Sequence, residues 1–78
     1  MNGKIFSEEL IGMTAMTVGG YLLGTVDGLV FDTVTGELRY ALIKLRGTPK
    51  KGQKVDAAGR AVVDFDDLKI GEKSITVI

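Results

Sequence analysis

The chain of 78 residues contains no cysteine, no histidine and no tryptophan, and only one proline. Without cysteine there is no disulfide framework and no thiolate metal site. Without histidine the commonest general base, the commonest transition-metal ligand and the physiological pH switch are all missing. Ten basic residues balance ten acidic ones, so no net field draws the molecule to nucleic acid or to an anionic membrane. No long hydrophobic run interrupts the sequence, and Met1, Asn2, Gly3 and Lys4 lead directly into Ile5, Phe6 and Ser7. Neither a signal peptide nor a transmembrane span is expected, and a cytoplasmic location is the default.

What is abundant is glycine, eleven in all, scattered among short runs of Val, Ile, Leu and Thr. That is the pattern of short strands joined by tight turns, in one domain over residues 1–78. Ser7, Glu8, Glu9 and Leu10 read as one helical turn, with Ser7 as cap and the glutamates at the positive end of the dipole. Gly12 ends it. A first strand over residues 13–18 closes at Gly19 and Gly20.

The clearest element is a long hairpin with arms 22–32 and 37–45. Asp32 opens its turn, and Gly36 supplies the left-handed position that follows. Gly24 and Gly28 are costly inside a strand unless it bends or bulges there, as closing a small barrel requires. Residues 46–60 read as a mobile loop with a short strand near 53–55. Residues 60–64 read as a strand, Phe65 to Leu68 as a turn of 3₁₀ or α helix, and residues 74–78 as a last strand. The expected fold is all-β: a small closed or partly open antiparallel barrel of five to six strands with one or two helical turns.

Chemistry is sparse. Gly47 and Gly52 have P-loop spacing, but Gln53 and Lys54 follow where that motif needs Lys and then Ser or Thr. Asp64, Asp66 and Asp67 form the densest acidic group. No calcium-loop pattern begins at Asp56 or Asp64, and capping of a helical turn explains the group. Ser7 and Ser74 have no base to activate them. No catalytic, cofactor or metal residue is assigned, and the chain is not expected to be an enzyme.

Two surfaces remain. In β-spacing, Leu38, Tyr40 and Leu42 share one face of a strand whose other face carries Ala41, Ile43 and Leu45. Both faces are apolar, so the one outside the barrel needs a cover. Either the N-terminal turn, with Ile5, Phe6, Leu10 and Ile11, folds over it, or a partner protein does. Leu38, Tyr40 and Leu42 are therefore the candidate partner interface. Lys44, Arg46, Lys50, Lys51 and Lys54 form a basic stretch without acids, the alternative being an RNA or ribosome-assembly surface. No aromatic residue lies within it to stack on bases.

The run Ser7-Glu8-Glu9-Leu10-Ile11-Gly12-Met13, the segment from Gly20 through Gly24, Val26, Asp27, Leu29 and Phe31 to Asp32, and Thr35-Gly36-Glu37-Leu38-Arg39-Tyr40 together resemble the PRC-barrel family. The closing stretch from Val63 and Phe65 through Leu68, Ile70 and Gly71 to Ile78 resembles the family's last turn and strand. The resemblance covers almost the whole chain. It is nearest to short archaeal PRC-barrel proteins linked to cell division. It implies a non-enzymatic adaptor, a homodimer or heterodimer with a second PRC barrel, bridging to the membrane-anchored ring protein SepF. No cofactor is implied, and the family has no catalytic motif to carry over.

Overall fold

The computed structural model describes residues 7–49 and 51–78, the Ser7 side chain excepted. The expected Ser7 cap, the cover by Ile5 and Phe6, and Lys50 lie outside the described residues. A four-residue helix α1 (Ser7–Leu10) leads into six strands: β1 (Thr14–Thr17), β2 (Leu22–Phe31), β3 (Leu38–Leu45), β4 (Ala61–Asp64), β5 (Leu68–Ile70) and β6 (Ser74–Val77). A 3₁₀ turn, Phe65–Asp67, joins β4 to β5. The strands form one curled sheet in the order β4-β3-β2-β1-β6-β5.

The expected all-β barrel is present in its partly open form. β4 and β5 are the two edges of the sheet, yet they are consecutive in sequence, so the 3₁₀ turn links edge to edge where a closed barrel would have a ladder. Phe65 of that turn packs against the core, and the Ile78 N–H donates to the Asp67 carbonyl (2.8 Å). Four of the five ladders are antiparallel. The exception is β1 against β6, which pair in parallel from Thr14 opposite Ser74 to Thr17 opposite Val77. A parallel pair needs a long crossover, and here everything from β2 to β5 serves as one.

The central hairpin forms as its residues dictate. The Asp32 carboxylate accepts from the Val34 and Thr35 N–H groups (2.8 and 3.2 Å), and Gly36 adopts φ 76°. β2 bends at its glycines. Between Val26 and Gly28 the register against β3 slips, leaving Asp27 as an extra residue. At Gly24 the chains cross so closely that a Cβ would overlap the Lys44 carbonyl oxygen. Such a bulge and close approach let a ten-residue strand curl instead of lying flat.

Among the described residues the buried core is Leu10, Ala15, Val26, Ala41, Ile43, Ala61, Val63 and Ile75. Three of these eight are alanines, as a tightly curled sheet with a thin interior demands. Residues 51–60, expected as mobile loop, instead contain a defined turn. The Val62 N–H donates to the Lys54 carbonyl (2.9 Å) and Val55 bridges Ala61, so the chain doubles back along the outer edge of β4.

Candidate interaction surface

Alternation along β3 sends Ala41, Ile43 and Leu45 inward. Leu38 would face outward by the same count, but the register against β2 slips again where Phe31 pairs with Leu38. Arg39 becomes the extra residue, and Leu38 packs against the core. Of the three residues expected to form a partner interface, only Tyr40 and Leu42 lie on the outer face.

Among the described residues that outer face has a partial cover, and it comes from neither Leu10 nor Ile11. Leu10 joins the core and Ile11 is exposed. The cover is the turn after Lys54. Asp56 organises it: one carboxylate oxygen accepts from the Ala58 and Arg60 N–H groups (3.0 and 2.8 Å), and the other from Arg60 Nε (2.8 Å). Arg60 Nη1 reaches Asp27 across the sheet (3.3 Å), ending over Gly28 beside Leu42 Cδ1. Lys54 Nζ stands 5.6 Å from the centre of the Tyr40 ring, within cation–π range. Leu42 is left only 9% exposed. The backbone N–H of Arg60, then its side chain, hold the Asp56 carboxyl below its ordinary pKa, and the Asp56 hydrogen bond raises that of Arg60.

Among the described residues of the basic stretch, Lys54 is set apart from Lys44 and Arg46. Lys44, Arg46 and Lys51 are exposed, while Lys54 leans on Tyr40, four residues or about 13 Å along the strand from Lys44. Lys44 and Arg46 instead flank a shallow depression of about 260 Å³, lined also by Leu22, Gly24, Thr25 and Leu45. At the opposite end of β3, Glu37, Leu38, Arg39, Asp64 and Asp66 line a small notch of about 100 Å³. Asp64 caps the 3₁₀ turn, accepting from the Asp66 N–H (3.0 Å). Among the described residues no group of three acidic side chains is placed to hold a metal ion.

The most exposed apolar residues are elsewhere, and sequence reasoning did not single them out; on the outer face itself Val30, paired with Tyr40, is also exposed. Val18, Tyr21 and Ile78 are each more than 70% exposed. Val18 and Ile78 directly follow the last parallel pair, Thr17 and Val77, and the Tyr21 ring lies over Gly19 at the tip of the β1–β2 hairpin. Val34, at the tip of the β2–β3 hairpin, is 92% exposed. The available signal was an aliphatic residue in a turn whose other positions are polar.

The sequence model of the family described as PRC-barrel domain matches residues 2–78. The chain belongs to the PRC-barrel domain family. No curated protein matches it. In this PRC barrel no helix among the described residues is long and apolar enough to cross a membrane. The bends at Gly24 and Gly28 and the edge-linking 3₁₀ turn are how this member of the family curls its sheet.

Proposed function

We infer that this PRC barrel is a non-enzymatic protein–protein interaction module, a cytoplasmic adaptor that pairs with itself or with another PRC-barrel protein. The carrying observation is the group Val18, Tyr21 and Ile78, left open to water at one end of the sheet. A domain with so few buried apolar side chains gains more by burying these three than by exposing them. Apolar surface gathered in this way marks a contact site more often than chance exposure. The resemblance of residues 7–13, 20–32 and 35–40 to short archaeal PRC-barrel proteins supports a finer reading, a division-site adaptor bridging to SepF. RNA binding is the weaker alternative, because the Lys54 ammonium is engaged with Tyr40, about 13 Å along β3 from Lys44.

The test is a pull-down with the tagged chain from nuclease-treated native lysate, washed at low and high salt and read by mass spectrometry. Protein partners retained at high salt, and lost when Tyr21 and Val18 are both changed to Ser, are expected. Recovery of ribosomal proteins alone, released by nuclease or salt, would overturn the adaptor in favour of RNA.

A further inference from the structure

The two ends of the central hairpin are opposite in character. At one end the turn carries Asp32 and Glu37, with Asp64 and Asp66 close to Glu37, four carboxylates against the one cation Arg39 that lines the same notch. At the tip of the turn stands Val34, the most exposed large apolar side chain described. At the other end lies the depression between Lys44 and Arg46, lined in part by Leu22 and Leu45. The eight residues of β3 separate the two by roughly 24 Å, so one molecule cannot bring them together. Two can.

We propose that the protein self-associates head to tail, the Val34 turn of one copy seating in the Lys44–Arg46 depression of the next. This rests on the reading of the chain as a protein-interaction module and adds a second, weaker contact, with another copy of the chain, apart from the one at Val18, Tyr21 and Ile78. The fit is one of charge and polarity together: an apolar anchor flanked by carboxylates meets an apolar hollow flanked by cations. The anchor is pre-organised. Besides the two bonds to its carboxylate, Asp32 accepts the Gly36 N–H at its carbonyl and donates its own N–H to the Glu37 carbonyl (both 2.8 Å). The Thr35 hydroxyl accepts the Glu37 N–H (3.1 Å). A turn held this firmly loses little freedom on docking. Because knob and hollow lie on different surfaces, the contact is heterologous and propagates into short chains of molecules instead of stopping at a dimer. A hairpin tip in a shallow hollow is a small interface, so association is weak and salt-sensitive.

Sedimentation of the full chain at rising concentration tests this, using Val34→Ser and the double variant Lys44→Glu/Arg46→Glu. All three side chains are exposed, so both variants are expected to fold, as circular dichroism will verify. The wild type is expected to grow beyond dimers with concentration, and each variant alone to associate at least tenfold more weakly. Mixed, the two variants should form a one-to-one complex and nothing larger, since one keeps the hollow and the other the knob. A monomeric wild type, unimpaired variants, or a mixture that stays monomeric would each overturn the proposal. Oligomers that persist unchanged in both variants would do so while leaving the interaction-module reading intact, and that reading fails separately if the pull-down recovers no protein partner.

Discussion

Truncating neighbouring residues of β3 to alanine measures which face of that strand is interior. Ile43 is fully buried, and the residues opposite it on the flanking strands are Val26 and Ala61. Alanine has no rotamer with which to fill a void, so the cavity left by Ile43→Ala persists. Its cost should fall in the upper part of the range for such changes, about 3–4 kcal/mol. Leu42, next in sequence, is nearly as well hidden, but by Arg60, whose long arm can settle into the space. Leu42→Ala should therefore cost little beyond the transfer of the lost methyl groups, about 1.5–2 kcal/mol. A domain of this length has a total stability of roughly 4–12 kcal/mol, so Leu42→Ala is measurable throughout that range and Ile43→Ala in all but its lowest part. With no tryptophan in the chain, urea unfolding followed by far-ultraviolet circular dichroism is the suitable assay. At a denaturant slope of about 1 kcal/mol per molar, the two midpoints should differ by about 2 M. Equal losses, or a larger loss at Leu42, would mean that the face carrying Leu42 is the core and that the assigned register is wrong.

Gly24→Ala should cost about 3 kcal/mol or more, since its Cβ would meet a backbone carbonyl that the ladder holds in place. Gly28→Ala should cost under about 1 kcal/mol, because its Cβ would meet only the movable ends of Leu42 and Arg60 at 3.2 and 3.3 Å; chemical denaturation of the pair checks both, and equal losses refute the distinction. Stability should be flat from about pH 5 to 8, where histidine, here absent, would titrate. Hydrogen bonds from Val34 and Thr35 hold the Asp32 carboxyl below the ordinary 3.8, as the Arg60 N–H does for Asp56. In that range the unfolded chain binds protons more readily than the folded one, so this stabilisation is complete above the ordinary value and is lost as pH falls through the lowered one. Melting temperatures from pH 2 to 7 should show a shallower acid limb in Asp32→Asn/Asp56→Asn than in the wild type, and parallel acid limbs would refute the assignment.

Those elements whose signals are local were legible in the sequence. Asp32 and Gly36 carry the turn of the central hairpin by themselves, and the aspartates after Val63 carry the 3₁₀ turn through the Asp64 cap. Gly24 and Gly28 announced bends, and the structure places a close crossing at the first and a bulge before the second. What was missed depends on partners far away in the chain. The parallel pairing of β6 with β1 and the existence of β5 follow from how the sheet curls, which no short window records. The inward turn of Leu38 depends on a register slip opposite Phe31. The ordered turn at Asp56 had a readable sign, an aspartate three residues before Gly59, whose φ is 80°. This is the chemistry of Asp32 and Gly36 in a shorter loop, obscured by the neighbouring glycines and lysines.

Sheet edges are the usual place for two β-domains to join, and here both are poor templates. The outer side of β4 is taken by the returning chain, with the Lys54 carbonyl receiving the Val62 N–H and Val55 bridging Ala61. Opening that edge would break those bonds and pull away the turn that seats Arg60 over Leu42. The other edge, β5, is three residues long, too short to template an added strand. The convex face of β3 is also occupied, by Arg60 and Lys54. The most exposed apolar groups, Val18, Tyr21, Val34 and Ile78, belong to hairpin tips and to the open end of the β1–β6 pair. Contact through these ends leaves every described hydrogen bond in place, whereas contact through an edge must first break some. The energetically cheaper route therefore runs through the ends, where loop sequence can change without disturbing the curled sheet behind it.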